Sequence, residues 1–205
     1  MGGVVKTRRR GILGGTFDPP HIGHLILASN ARHDLGLDEV WFVPAGDPYR
    51  KVDNNISTAE NRLRMLEVAV KDIEWAFVKT IEIERQGPTY TIDTILQLPQ
   101  TEDQWWFILG SDALVDMEFW KEPERIVELV RLAVGVRPGL IHQDVVTQIE
   151  TKLPQVIECI DYVRMPEVEI SSSDLRNRIR TGQPTELLLQ EQVRILIDHL
   201  QLYRD

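Results

Sequence analysis

The chain has 205 residues, of which 42% are hydrophobic, and a formal net charge of −9 at pH 7. We predict one domain, residues 1–205, with a helical C-terminal part at about 171–205. The acidic balance argues against a broad surface for duplex nucleic acid, so we expect no nucleic-acid partner. No apolar run approaches membrane-spanning length, and the start lacks a signal-peptide core, so we expect a cytoplasmic protein without a membrane partner. The single cysteine, Cys159, excludes an internal disulfide framework.

Short apolar runs alternate with helical patterns, which predicts an α/β fold with a parallel sheet covered by helices on both faces. The predicted strands are 10–13, 39–43, 76–80, 105–109, 132–136 and 156–163. The predicted helices are 22–34, 58–70, 91–98, 112–130 with a break at Pro123, and 144–152, followed by a last amphipathic helix around 193–200. Ser57 and Glu60 have the spacing of a capping box. Residues 44–56 are rich in Pro, Gly, Asp and Asn, and we expect a loop over the site.

A glycine-rich turn near the N-terminus leads into the first helix. Gly14 and Gly15 would let the backbone approach an anion, and free N–H groups of the helix's first turn would point at it. His21 and His24 lie one turn apart, so both can face one ligand as hydrogen-bond donors or cations for a polyphosphate. Gly23 between them would leave room for a base or ribose. A tight turn with surface histidines and a metal pair are the alternatives.

A second helix start carries hydroxyl groups and an arginine. Ser171 and Asp174 have capping-box spacing, and Ser172 and Ser173 would lie in the first turn. Arg176 lies within the next turn and can reach the same anion. This pattern predicts a second phosphate site at a helix start. The alternative is a well-capped surface helix with solvated arginines.

Two motifs carry a resemblance to a known family. Gly-Gly-Thr-Phe-Asp-Pro-Pro-His-Ile-Gly-His at 14–24 and Ile-Ser-Ser-Ser-Asp-Leu-Arg at 170–176 resemble the nucleotidyltransferase superfamily with a His-x-Gly-His site. Within it, the chain is similar to bacterial nicotinate mononucleotide adenylyltransferases, also at 44–51, 90–94, 107–114 and 119–120. The resemblance implies a Rossmann-like doubly wound parallel sheet of five to six strands with helices on both faces and a helical C-terminal segment.

The resemblance also implies an activity and a set of site residues. The activity is transfer of AMP from ATP to nicotinate mononucleotide, giving deamido-NAD and pyrophosphate in NAD biosynthesis, without a covalent intermediate. The implied catalytic residues are His21, His24, Lys51 and Arg176. The implied ATP-binding residues are Gly14, Gly15, Thr16, Phe17, His21, His24, Gly110, Asp112, Ile170, Ser172, Ser173 and Arg176. The implied mononucleotide-binding residues are Tyr90, Thr91, Trp120, Lys51 and Arg50.

The sequence leaves the roles of Arg50 and Lys51, of Trp120 and of Asp18 open. The family commonly has Pro-His-Lys where this chain has Tyr49, Arg50 and Lys51, which leaves the division of roles between the two basic residues open. Trp120 fits either stacking on the pyridine ring or packing in the core. We expect Mg²⁺ to accompany ATP without protein ligands of its own; Asp18 would either touch its hydration shell or hold the turn.

The competing functions share the nucleotide but differ in the acceptor or in the chemistry. Nicotinamide mononucleotide and another phosphate acceptor such as phosphopantetheine are the alternative acceptors. A nucleotide-binding module without catalysis is the alternative from another class. The strength of the preference for nicotinate is left open, and so is a homo-oligomer.

Overall fold

The computed structural model describes residues 7–47, 56–99, 101–136 and 151–204. Its centre is a sheet of six strands, paired in parallel throughout, in the order β3-β2-β1-β4-β5-β6. The strands are β1 (Arg9–Gly15), β2 (Glu39–Pro44), β3 (Ala76–Val78), β4 (Gln104–Gly110), β5 (Arg131–Val136) and β6 (Ile160–Arg164). The predicted α/β architecture is confirmed.

Helices connect the strands and extend the chain beyond the sheet. They are α1 (Ile22–Leu35), α2 (Ala59–Val70), α3 (Thr91–Ile95), α4 (Ser111–Val115), α5 (Pro123–Leu129), α6 (Pro154–Ile157), α7 (Ser172–Arg180) and α8 (Glu191–His199), with a 3₁₀ turn at Asp116–Phe119. Among the described helices, none combines the length and the apolar composition that a bilayer-spanning segment needs.

The two faces of the sheet build two separate apolar layers, because successive side chains of a strand point to opposite faces. In β4, Trp105 and Phe107 join the layer under α3, α5 and α6, whereas Trp106 and Ile108 join the layer under α1 and α2. A third apolar cluster forms on the outer side of α2, where α7 and α8 pack. α8 buries Val193 there, as its amphipathic pattern predicts.

The predicted helix 91–98 and the predicted strand 76–80 are shorter in the structure, ending at Ile95 and Val78. Two other predicted elements differ by more than their length. The predicted strand 156–163 is helical at its start, and β6 begins only at Ile160. Pro154 stands at the first helical position of α6, where its missing N–H costs nothing, and a short apolar run does not separate strand from helix. The predicted helix 112–130 is broken earlier than at Pro123, which instead opens α5.

The predicted capping box at the start of α2 is also wrong. The cap of α2 is Thr58, whose side chain accepts a hydrogen bond from the Asn61 N–H at 3.3 Å, and not Ser57 as the capping-box spacing suggests. The N–H of Ser57 instead donates to Oδ2 of Asp18, in the turn after β1, at 3.2 Å. The predicted helix 144–152 lies outside the described residues except for positions 151 and 152, which are helical.

The order of the strands creates a crevice. The chain moves from β1 outward to β2 and β3, then returns to place β4 on the other side of β1. Helices therefore leave the carboxyl ends of β1 and β4 towards opposite faces, and in open α/β sheets ligands bind in the crevice outside such strand ends. The glycine-rich stretch at the end of β1 opens onto this crevice.

Candidate active site

A cavity with a volume of about 410 Å³ occupies the crevice between the carboxyl ends of β1 and β4. The β1 side contributes backbone and one imidazole, and the β4 side contributes aromatic and charged side chains. Residues lining it include Gly14, Gly15, Thr16, His24, Glu82, Thr89, Tyr90, Thr91, Phe107, Gly110, Ala113, Asp116, Trp120 and Lys121. Eight of the residues predicted from the sequence therefore share one cavity: Gly14, Gly15, Thr16, His24, Tyr90, Thr91, Gly110 and Trp120.

The two histidines form a stacked pair at the start of α1. Their ring centroids are 3.8 Å apart with an interplanar angle of 29°. The backbone N–H of His21 donates to Nδ1 of His24 at 3.2 Å. Because Nδ1 accepts, the proton of the His24 ring is on Nε2. His24 thus presents a neutral donor at the cavity.

His21 has a different environment from His24. It caps α1, is only 8% exposed and does not line the cavity. Burial lowers the pKa of His21 to about 4, so its imidazole is neutral near pH 7. Of the two predicted roles, donor or cation, the free protein supports only the donor for this ring.

The prediction that the N–H groups at the start of α1 are free for an anion is wrong for two of them. The Ile22 N–H donates to the carbonyl of Leu188 at 3.1 Å, and the His24 N–H donates to the carbonyl of His21 at 3.0 Å. The loop before α8 therefore covers the end of α1. His24 lines the cavity in the β1–β4 crevice, whereas the helix start itself is covered by protein.

The space beside Gly23 is filled by protein. A Cβ at this position would lie 2.9 Å from Cγ2 of Ile170 and 3.0 Å from Nδ1 of His21. Gly23 therefore allows the chain before α7 to pack closely on α1, and the expected room for a base or ribose is not there. This contact also assigns Ile170, predicted beside ATP, to the packing between α1 and α7.

One buried arginine connects three segments of the chain near the end of β1. Arg62 is 1% exposed and donates to the carbonyls of Thr16, Gly46 and Ser57 at 2.9, 3.0 and 3.1 Å. A Cβ on Gly46 would lie 2.2 Å from the carbonyl oxygen of Glu82, so only glycine fits at this crossing. Arg62 is thus the point where the turns after β1 and β2 and the start of α2 meet.

The start of α7 has the predicted cap. Ser171 accepts from the Asp174 N–H at 3.1 Å, with Ser172 and Ser173 in the first turn. The N–H groups of the first two residues of a helix have no intrahelical partner. The cap prediction is confirmed.

The side chains of α7 dock on the turn between β1 and α1. The Ser172 hydroxyl donates to the carbonyl of Pro19 at 2.9 Å. Arg176 donates through Nη1 to the carbonyl of Asp18 at 2.8 Å and through Nη2 to Oγ of Ser173 at 3.2 Å. The two predicted phosphate-binding helix starts therefore meet at one turn, with the α7 side chains outside the cavity lining.

Asp18 holds this turn from inside. It has no exposed surface, and its two carboxylate oxygens accept from the hydroxyl of Tyr203 and from the N–H of Ser57. Of the two predicted roles of Asp18, the geometry therefore supports the turn. Within the described part of the chain, no group of three or more His, Cys, Asp or Glu side chains is arranged to hold a metal ion.

The other end of the cavity is aromatic. Trp120 packs edge-to-face on Phe107, with ring centroids 5.8 Å apart and an interplanar angle of 85°. The Lys121 ammonium lies 4.9 Å from the ring centroid of Tyr90 and 3.1 Å from Oδ1 of Asp93. Trp120 packs against the core and also lines the cavity. Its stacking on the pyridine ring stays a prediction.

Some predicted residues lie away from the cavity. Phe17 is 1% exposed and places its ring 4.9 Å from that of His24, behind the cavity wall. Asp112 is exposed in the first turn of α4 and does not line the cavity. Arg50 and Lys51 lie outside the described residues.

The site residues without a prediction from the sequence include Arg62, Glu82 and Lys121. Arg62 shares the buried face of α2 with Met65 and Leu66, so a cation in an apolar stripe was its only signal. Glu82 lines the cavity, accepts from Thr94 Oγ1 at 2.7 Å, and has its pKa raised by burial. Lys121 sits beside the tryptophan and had no signal of its own.

Comparisons with known proteins agree with this architecture. The cytidylyltransferase-like family model matches residues 12–178. A Dehalococcoides mccartyi protein named "probable nicotinate-nucleotide adenylyltransferase" is 43% identical over 198 residues, covering 95% of this chain and 97% of that protein. A Bacillus licheniformis protein of the same name is 38% identical over 198 residues, covering 96% and 98%.

Solved structures agree on the fold. Plasmodium falciparum nicotinic acid mononucleotide adenylyltransferase complexed with APC matches with a TM-score of 0.73 at 18% identity. The same protein complexed with NaAD matches with a TM-score of 0.74 at 20% identity. Each match covers 96% of this chain and 97% of the other. From its motifs, its cavity and these relatives together, the chain belongs to the nicotinate-nucleotide adenylyltransferases of the cytidylyltransferase-like family.

Proposed function

We propose that this chain transfers the adenylyl group of ATP to nicotinate mononucleotide, giving deamido-NAD and pyrophosphate. The observation that carries the proposal is the cavity at the carboxyl ends of β1 and β4, with a neutral imidazole donor at one end and an aromatic wall at the other. A polyphosphate suits the donor end, and a flat pyridine ring suits the wall of Tyr90, Phe107 and Trp120. Such a division matches a reaction that joins two nucleotides.

The chemistry is an in-line displacement at the α-phosphorus. An oxygen of the mononucleotide 5′-phosphate forms the new bond, the bond to the bridging oxygen breaks, and pyrophosphate leaves with the electron pair. A phosphate monoester has a second pKa near ~6, so the nucleophile is already largely a dianion at neutral pH. No general base is needed, and catalysis comes from positioning and from stabilising charge on the phosphates.

His24 is the residue that we place against the reacting phosphates. Its Nε2–H is a neutral donor at the cavity, held in that tautomer by the His21 backbone. A fixed donor that meets growing charge stabilises the transition state more than the ground state. His21 acts behind it, through stacking and the N–H that orients the ring.

The remaining phosphate contacts come from residues around the turn after β1. We assign Gly14, Gly15 and Thr16 to backbone contacts in the cavity, and the first turn of α7 with Arg176 to the flank of the polyphosphate. Lys51 and Arg50 keep their proposed role as basic residues of the loop. Mg²⁺ enters with ATP as part of the substrate, bound by phosphate oxygens and water.

The acceptor end selects the mononucleotide. Trp120 offers its face to the pyridine ring, and the backbone at Tyr90 and Thr91 lies beside it at the start of α3. The N–H of the first residue of a helix has no intrahelical partner and can meet a carboxylate. The Lys121 ammonium, paired with Asp93, lies at the same end.

The test is a panel of acceptors with the wild-type chain. The protein is incubated with Mg²⁺-ATP and nicotinate mononucleotide, nicotinamide mononucleotide or phosphopantetheine, and pyrophosphate release is followed together with the dinucleotide product. We expect the highest kcat/KM with nicotinate mononucleotide, by about tenfold or more, the size of one well-placed polar discrimination. A higher value with another acceptor would reassign the substrate. Tight ATP binding without turnover on any acceptor would favour a non-catalytic nucleotide-binding module.

A further inference from the structure

Asp18 connects the C-terminal segment to the turn after β1. Its carboxylate has no exposed surface and accepts from the Tyr203 hydroxyl and the Ser57 N–H. The Ser57 hydroxyl donates in turn to the Tyr203 oxygen at 3.2 Å. All three polar groups are thus committed to one another behind the cavity, and none of them is placed to touch substrate.

Tyr203 reaches this site by an unusual backbone. Its φ is 63° and that of Gln201 is 53°, both in the left-handed region that disfavours side chains with a Cβ. Phe17, immediately before Asp18, also has a left-handed φ of 52°. Non-glycine residues persist in this conformation when surrounding contacts over-determine it. The contact between Tyr203 and Asp18 is therefore flanked on both sides by conformations that the local sequence does not favour.

The hydroxyl of Tyr203 is a permanent donor. Burial and the neighbouring Asp18 carboxylate raise the pKa of Tyr203 well above its ordinary value, so the proton stays on oxygen. The hydroxyl also lies 3.8 Å from Sδ of Met65, and the residue packs against the apolar cluster of α2, α7 and α8. Replacing Tyr203 by Phe therefore removes the hydroxyl contacts and keeps a ring for the apolar packing.

The other side of Asp18 faces Arg176. The Asp18 carbonyl accepts from Arg176 Nη1 at 2.8 Å, and the Asp18 carboxylate is 3.9 Å from the same nitrogen. A shift of Asp18 therefore moves both acceptors that place the guanidinium. We propose that Tyr203 is a positioning residue that acts through Asp18 to hold Arg176 for the ATP phosphates. This inference rests on the proposed function, in which Arg176 faces ATP.

The first test replaces only the hydroxyl, as Tyr203→Phe. We expect KM for ATP, and Kd for a non-hydrolysable ATP analogue, to rise about 5–10-fold, the scale of one lost charge-assisted hydrogen bond. KM for nicotinate mononucleotide should stay within about twofold, because Tyr90 and Trp120 line the cavity, whereas Tyr203 does not. The matched control is Tyr162→Phe, which removes a hydroxyl from a ring that is 42% exposed on β6 and should change neither constant.

A double-mutant cycle asks whether the effect passes through Arg176. If it does, Tyr203→Phe should raise Kd for the analogue by a smaller factor in the Arg176→Lys background than in the wild-type chain. Ser57→Ala, which removes the donor to the Tyr203 oxygen, should raise Kd for the analogue in the same direction by a smaller factor. If Tyr203→Phe folds poorly, the Ser57→Ala variant still tests the same network.

Two outcomes would overturn the inference. One is equal weakening of both substrates in Tyr203→Phe together with a lower melting temperature, which would make Tyr203 a packing residue. The other is full additivity with Arg176→Lys. If the wild-type chain releases no pyrophosphate with nicotinate mononucleotide, the acceptor assignment fails, while the analogue-binding comparison still decides the role of Tyr203.

Discussion

The two ends of the cavity are built in opposite ways. At the phosphate end, the carbonyls of Thr16, Asp18 and Pro19 each accept from a side chain of a distant element. At the acceptor end, Trp120 and Lys121 stand after a 3₁₀ turn and are partly exposed. The end that we assign to ATP is therefore preorganised by buried polar contacts, whereas the end that we assign to the acceptor has fewer long-range polar contacts.

The lengths of the helices reinforce this difference. α3 and α4 at the acceptor end have only five residues each, and helices this short depend on tertiary packing for their stability. α1 at the phosphate end has 14 residues and a left-handed Gly36 at its C-cap. Substitutions should thus separate into effects on stability and catalysis at one end and effects on acceptor affinity at the other.

Removal of Arg62 should have the largest effect. Arg62→Met leaves three buried carbonyls without their donor and removes the cation near Asp18. We expect the free energy of unfolding to fall by about 3–5 kcal/mol, measured by urea denaturation. Arg64→Met, on the exposed side of α2, is the matched control and should stay within about 0.5 kcal/mol. Equal stability of the two variants would remove the distinction between the ends.

His24→Ala should stop most of the chemistry with the fold intact. The loss of one fixed donor to the phosphates predicts a fall in kcat of roughly 10²–10³-fold, measured by pyrophosphate release. His33→Ala removes an exposed imidazole from the same helix and should keep the wild-type rate. A near-normal rate for His24→Ala would contradict its role at the reacting phosphates.

Trp120→Ala tests the acceptor end. We expect KM for the mononucleotide to rise about tenfold, the scale of one lost aromatic stack, with little change in KM for ATP. Phe119→Ala removes the neighbouring ring, which is 64% exposed, and serves as the control. An equal rise in KM for both substrates would show that Trp120 supports the whole cavity by packing. It would contradict the distinction between the two ends.

The smallest effect concerns His21 and pH. Its pKa in the folded protein, about 4, is below the ordinary value of 6.5, so on acidification the unfolded chain takes up the proton first. Stability should therefore fall as pH drops below 6.5, by about 1 kcal/mol between pH 7.5 and 5.5 from this group alone.

The variant His21→Gln should lose this part of the pH dependence of the unfolding free energy. His199→Gln, at the exposed end of α8, should keep it. An unchanged pH profile in His21→Gln would mean that the burial of this ring is not what links the phosphate end to pH.

The sequence predicts the parts of the site that have local signals. Periodicity places the strand that ends in Gly14 and Gly15, and cap spacing places Ser171 at the start of α7. The covering of α1 by Leu188 has no local signal, because the two residues that bond lie far apart along the chain. The same holds for Tyr203, whose partner Asp18 lies near the other end of the chain. Long-range hydrogen bonds between single polar groups produce no periodic pattern in the sequence, so the sequence does not predict them.

Arg62 has a consequence for how the chain can vary in length. Its guanidinium holds the carbonyl of Gly46 with one nitrogen and that of Ser57 with another. The distance between the carbonyls of Gly46 and Ser57 is therefore set by the Arg62 side chain, whatever the sequence that joins them. We therefore expect insertions and deletions between Gly46 and Ser57 to cost mainly loop-closure entropy, which grows slowly with length. A change of loop length there should leave the turn between β1 and α1 in place, because Arg62 also donates to the carbonyl of Thr16.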